Sequence, residues 1–332
     1  MSSRACPREK IYFVVNEKHL FKKWPELVSE PRPFAPDECP ERIISGRDCW
    51  IILTWARLCA VDCPFDPVLS CRAVDNAVCV FHWDDATPAQ GVHRCFAVVA
   101  QADRPRPALS DMTVMQNGLM GETGLRRTMP HWPQPGLIPR DPARGDRLET
   151  IAYFGSDQYE PQFVKTGAFQ DALRQRGVRF VNRFQGEWHD YQHVDAVLAI
   201  RDCPPVVLAT KPASKLINAW KAGVPALLGL EPAYRELRTS PLDFLEAASA
   251  EAVDSIDRLQ QESGLCRRMT EHGAKRAQAF DVNMLTQKWI SLLEEARERN
   301  RRETLHPVMR SIRYLWNRQK INLGKRLSGW RD

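Results

Sequence analysis

No stretch of the sequence reaches the roughly 18 to 20 uninterrupted apolar residues that a membrane-spanning helix needs, and the opening MSSRACPREK is polar where a secretion signal would turn apolar. A cytoplasmic protein is the expectation. Paired Cys-x-x-Cys spacing is missing as well. Of the ten cysteines, Cys59, Cys63, Cys71 and Cys79 lie closest together, but their spacing does not match a zinc ribbon, so buried free thiols of a reducing compartment are expected and no metal site. His189 and His193 in HDYQH stand four apart without the glutamate of HExxH or a third ligand. Gly118, Gly121 and Gly124 recur every third residue and do not form GxGxxG after a strand, which removes the dinucleotide fingerprint and leaves loop glycines.

An excess of charge of one sign is confined to one segment. The net charge is +6, and the last 27 residues carry Arg310, Arg313, Arg318, Lys320, Lys325, Arg326 and Arg331 against the single acid Asp332, which accounts for all of it. A near-neutral body is no nucleic-acid-binding surface, so no nucleic-acid partner is expected.

What is present is an ordinary globular composition, 43% hydrophobic and 27% charged, in 332 residues, a length that suits two domains. Apolar runs at Ile11 to Val15, Trp50 to Trp55, Val78 to Phe81 and Phe96 to Ala100 read as buried strands of a mostly parallel sheet in a first domain, residues 1–129. Residues 130–147 include PHWPQPGLIPRDPARGD, whose five prolines disfavour helix and mark an interdomain linker. A second domain, residues 148–305, opens on the strand Ile151 to Phe154 ending at Gly155. It continues through a helix at Thr166 to Arg176, strands at Val178 to Val181 and Ala196 to Ile200, and a helix from Ser214 to Ala222. The strand Ala226 to Leu228, a short helix around Tyr234, a strand at Phe244 to Leu245 and long helices to about Asn300 complete it. Strands alternating with helices predict a doubly wound α/β sheet. Residues 306–332 form a basic, amphipathic tail.

The stretch richest in chemistry is TKPASKLINAWKAGVP, Thr210 to Pro225. Ser214 is placed to cap a helix that Gly223 and Pro225 end. Around that helix Ser214, Lys215, Asn218 and Ala222 share a small, polar, cationic sector, while Leu216, Ile217 and Trp220 share an apolar one. Unpaired N–H groups at the helix start, with Lys211 or Lys215 beside them, suit a pyrophosphate; the plainer reading is a capped surface helix with solvated lysines.

The run PASKLINAWKAGVP resembles the corresponding segment of the group-1, family 4-like glycosyltransferases, and the resemblance extends to IAYFG, DYQHVDAVLAIR, EPAYREL and the closing EHGAKRAQAF and WISLLEE helices. It implies a GT-B-like fold, two Rossmann-like doubly wound domains facing a cleft. It also implies a nucleotide-sugar donor in the second domain, with Lys215 near the donor phosphates and Asn218 at the ribose position. This sequence departs from the retaining members: the two glutamates they carry seven residues apart correspond here to Thr210 and Asn218, so no retaining mechanism carries over.

Gly155, Arg201, Lys211, Ser214, Lys215, Asn218, Glu231 and Tyr234 are therefore the candidate donor-binding residues. Glu231 has a second reading as an acid favouring a helix N-terminus, and Arg201 as a solvated or ion-paired arginine. Asp103 and His82, each just past a first-domain strand, are the candidate bases for an attacking hydroxyl, with His19 a weaker third. Arg140 and Arg144 either reach donor phosphate or pair with Asp141 and Asp146. No Asp-x-Asp motif appears, so leaving-group charge falls to the lysines and the helix N-terminus, with no cofactor beyond the donor. The expected reaction moves a sugar to a hydroxyl of a glycan, lipid-linked or other acceptor; a non-catalytic nucleotide-sugar or glycan-binding module and a nucleotide-sugar epimerase are the alternatives. The tail has two readings: a final segment packed back on the first domain, or a surface segment that meets anionic lipid at the inner face of the membrane.

Overall fold

The computed structural model describes residues 8–119, 121–157, 160–201, 203–302 and 306–328, the last five by backbone alone. Trp330, Arg331 and Asp332 of the basic tail lie outside this set, as do the side chains of Lys325, Arg326 and Leu327.

Six parallel strands form the first sheet: β1 (Lys10–Val14), β2 (Asp66–Ser70), β3 (Val78–His82), β4 (Phe96–Ala100), β5 (Met112–Met115) and β6 (Arg126–Thr128), in the order β2-β1-β3-β4-β5-β6. Five more form the second: β7 (Thr150–Phe154), β8 (Arg179–Arg183), β9 (Ala196–Ala199), β10 (Ala226–Leu228) and β11 (Leu245–Glu246), in the order β11-β10-β9-β7-β8. β3, β4, β5, β7, β9 and β10 are buried at every position, as a parallel sheet covered on both faces requires. This is the doubly wound α/β class expected. In each sheet the direction of winding reverses once, between β1 and β3 and between β7 and β9, and such switch points open a crevice beyond the carboxyl ends of the strands.

The apolar run Trp50 to Trp55 is a helix, not the strand expected. A π turn at Asp48–Ile52 leads directly into an α-helix at Leu53–Cys59, and Trp50, Ile51, Ile52, Leu53 and Trp55 are all buried. A helix enclosed on all sides has no polar stripe, so its run of apolar residues looks like that of a buried strand.

The chain crosses between the two units twice. The 130–147 segment does not hang free: Ile138 pairs with Asp190 in a β-bridge, and the Arg140 N–H donates to the Ala222 carbonyl at 2.9 Å. The second crossing follows Phe280. There the helix Val282–Arg302 leaves the second unit and inserts Leu285, Trp289, Ile290, Leu292, Leu293 and Ala296 into the core beneath the first sheet. The helix Pro307–Ser328 then covers the opposite face of that sheet, where Tyr314 joins Val14, Phe81, Cys95 and Val99. The tail thus packs on the first unit, through one of its faces.

Candidate functional site

A cavity of about 450 Å³ lies between the two sheets. Its first-unit wall is Ser45, Gly46, Cys49, Asp103 and Arg104; its second-unit wall is Tyr153 to Ser156, Arg201, Lys211, Ser214, Lys215 and Asn218; the linker residues His131, Trp132 and Gln134 close one side. Gly155 and Arg201 follow β7 and β9, so the cavity sits at the second sheet's switch point.

Three basic side chains converge there. The Arg201 side chain is 6% exposed and ion-paired with the buried Glu231, which also precedes the helix Pro232–Leu237. Burial pulls the guanidinium pKa down, but Tyr234 and Glu231 outweigh it and hold Arg201 charged. The Lys215 ammonium lies 5.5 Å from the centre of the Tyr153 ring. Burial, and then the positive charge of Arg201, push its pKa well below the usual lysine range. Lys211 is buried and donates to the Asp103 carboxylate at 2.9 Å. Burial raises the Asp103 carboxyl and Lys211 more than offsets that, leaving it below its ordinary value. The hydroxyls of Tyr153 and Tyr234 and Oε1 of Glu231 are buried without a hydrogen-bond partner. The charged Arg201 and Lys211, with Lys215 once it is protonated, are suited to an anion carrying several oxygens.

The geometry of Lys211 is set from the first unit. The Asn117 side-chain amide donates to the carbonyls of Ala209 and Lys211 at 2.9 and 3.1 Å, Gln116 donates to Thr210, and the Gly118 N–H donates to Glu236 at 2.8 Å. A Cβ on Gly118 would stand 2.3 Å from Glu236 Oε1, so this loop glycine permits a close interdomain contact.

Several expected residues occupy other places. Ala213, not Ser214, is the N-cap of Ser214–Ala222, and no side chain caps it, so the first N–H groups are left for another acceptor. The expected polar face of that helix is covered: Asn218 and Ala222 are buried, because the linker lies on them, and Asn218 Oδ1 accepts from the Gln134 N–H at 3.0 Å. Glu231 and Tyr234 stand behind the cavity wall, Glu231 as the counterion of Arg201. His82 does not line the cavity. It lies behind Gly46, where an added Cβ would come within 2.3 Å of its Nε2; its Nδ1 accepts from the Asp84 N–H, and burial pushes its pKa down to about 4. His19 is held by Asp48 at 2.8 Å. Arg140 and Arg144 pair with Asp195, not with Asp141 and Asp146 and not across the cleft. Cys59, Cys63, Cys71 and Cys79 are free, and burial raises the Cys59 and Cys63 thiols to about 12 and about 11.

His131 is a site residue that its position in a proline-rich linker conceals. Its Nδ1 lies 2.7 Å from the Trp132 carbonyl, which can only accept, so Nδ1 carries the proton and Nε2 the lone pair. Burial lowers its pKa against the opposing effects of Trp132 and Asp103, favouring the neutral ring. Trp188, Gln185 and Tyr191 also line the cavity, and Tyr191 stacks on Phe154 with ring centres 4.0 Å apart. An aromatic residue among prolines was the available signal for His131–Trp132.

No described protein family matches the sequence, and no curated protein does. Solved structures similar in outline include an α1,3-fucosyltransferase with GDP, 12% identical with a TM-score of 0.49, covering 87% of this chain and 92% of that one. The Anabaena protein HepE in complex with UDP is 13% identical with a TM-score of 0.47, covering 63% and 74%. Sucrose-phosphate synthase from Thermosynechococcus elongatus is 14% identical with a TM-score of 0.47, covering 65% and 73%.

Proposed function

We propose that the protein transfers a sugar from a nucleoside-diphosphate sugar to a hydroxyl of a glycan, a lipid-linked saccharide or a similar acceptor. The observation that supports this most is the convergence of Arg201, Lys211 and Lys215 with an uncapped helix N-terminus at a switch-point cavity shared by two parallel sheets. A diphosphate leaving group gains roughly one further negative charge as the glycosidic bond breaks, and these groups are placed to offset it. Two groups, His131 on the linker side and Asp103 on the first-unit wall, are candidates to take the acceptor proton. His131 offers a neutral Nε2. Asp103 is a weak base while Lys211 holds it, and becomes a stronger one when a diphosphate draws Lys211 away.

The reading is tested with a panel of UDP-, GDP-, ADP- and dTDP-sugars, following nucleotide release with and without simple saccharide acceptors. Release that depends on acceptor and falls in Lys215→Ala supports transfer. Donor binding without release would make the protein a binding module, and an interconverted donor sugar without release would make it an epimerase. No binding of any donor to the folded protein would overturn the site assignment.

A further inference from the structure

The helix Pro307–Ser328 has two faces with different surroundings. Its inward face is fixed by residues spaced i, i+4 and i+7. Arg310 pairs with Asp111 at 2.7 Å and donates to the His93 carbonyl, Tyr314 is buried in the core, and Asn317 donates to the Ala108 carbonyl at 2.9 Å. Opposite them, Val308, Met309, Ile312, Leu315, Trp316 and Leu323 are each 56 to 61% exposed. At 100° per residue these six occupy an arc of about 120° facing away from the protein.

Exposed cations border that arc. Arg313 and Lys320 lie along one side and Arg318 along the other, with the Lys320 ammonium 5.1 Å from the centre of the Trp316 ring and the Arg318 guanidinium 6.0 Å from that of Tyr314. The sequence from Pro307 to Ser328 contains no acid, and Asp111 is matched to the inward Arg310 alone. The outward surface is therefore an apolar strip with Arg313 and Lys320 on one side of it and Arg318 on the other. On the outer side of a single helix it is convex and offers no groove for a peptide; its complement is a broad, negatively charged surface with an apolar interior. Among the described residues no helix is long and apolar enough to cross a membrane, so this one is suited to lying along the surface.

We propose that this face docks the protein on anionic lipid, with Ile312, Leu315 and Trp316 entering the headgroup boundary and Arg313, Arg318 and Lys320 meeting lipid phosphates. The proposal is independent of the sugar-transfer reading. Deleting the tail is a poor test, because it would also remove Arg310 and Tyr314 from the fold. Instead, the full chain is sedimented with vesicles of phosphatidylcholine alone or mixed with phosphatidylglycerol, at low and high salt. Two double variants, Ile312→Ser/Trp316→Ser and Arg313→Glu/Lys320→Glu, are compared, with melting temperature as a check that each folds. The expected result is binding to the mixed vesicles only, weakened by salt. Each double variant should bind them at least about tenfold more weakly. No binding of the full chain to mixed vesicles at low salt would overturn the proposal, as would undiminished binding by both folded variants. A vesicle-free dimer that Ile312→Ser/Trp316→Ser dissociates would assign the face to a second copy of the chain.

Discussion

Lys211 of the second unit donates to Asp103 of the first across the cleft at 2.9 Å, joining the turn before the Ser214–Ala222 helix to the loop after β4. Under the proposed sugar transfer, a donor phosphate bound in the cavity would compete with the Asp103 carboxylate for this one ammonium.

Asp103→Asn should free Lys211 for the donor and slow transfer. Asp103 is 37% exposed, so the competing pair is screened and worth about 0.2 to 1 kcal/mol, or up to about a fivefold gain in donor affinity. Calorimetric donor titrations beside turnover measurements check this. Weaker binding together with unchanged turnover would show that Asp103 neither competes for Lys211 nor acts as a base.

Lys215 should couple donor binding to protons. Burial and Arg201 lower its pKa in the free protein, and a diphosphate alongside favours the charged form and raises it. Binding therefore takes up protons, and affinity falls as pH rises above the free-state pKa. A sugar diphosphate carries no proton to exchange near neutrality, so titrations in buffers of different ionisation enthalpy report the protein alone. Uptake should vanish in Lys215→Met; uptake that persists in that variant would place the titrating group elsewhere.

Asn218→Ala should act mainly on stability. It leaves the Gln134 N–H without its acceptor at the junction of linker and helix, a loss of about 1 to 3 kcal/mol. Urea unfolding measures it. An unchanged midpoint with reduced donor affinity would instead make Asn218 a ligand contact.

Asp195 anchors the linker to the second sheet. Burial raises its carboxyl, but Arg144, the Glu149 and Thr150 N–H groups and Arg140 lower it to about 2, below the ordinary aspartate value of 3.8. A folded-state pKa below the unfolded one stabilises above the ordinary value and loses that stability as pH falls toward about 2. The contribution is on the order of 2 kcal/mol. Asp195→Asn should flatten the acid limb of the melting temperature between about pH 4 and pH 2. An acid limb as steep as in the unaltered protein would assign it to other carboxylates.

The second unit was the more legible in sequence because its strands are short apolar runs separated by regular helices. Ser214–Ala222, β10 and Pro232–Leu237 fall where Gly223, Pro225 and Pro232 place them. In the first unit, β2, β5 and β6 escaped notice. Asp66–Ser70 begins with an acid and a proline, and Arg126–Thr128 is a half-buried polar edge, so neither has a strand-like apolar pattern. Of the candidate donor residues, Gly155 and Arg201, which follow strands, and Lys215, on the helix Ser214–Ala222, line the cavity, and each belongs to a locally regular stretch. The contacts of Trp132 with Thr54 and of Asn117 with Ala209 and Lys211 arise from pairings 78 to 94 residues apart and leave no local periodicity.

The return of Val282–Arg302 to the first sheet has a consequence for synthesis. A ribosome delivers all six strands of that sheet before the helix that completes the core beneath them, whereas the second sheet and its covering helices have emerged by about Phe280. The half of the protein made first thus waits with Trp50, Trp55 and Phe65 incompletely covered, and the half made second is the first able to close. Truncation anywhere within residues 282–302 should harm the amino-terminal unit and leave the carboxy-terminal one with its core intact.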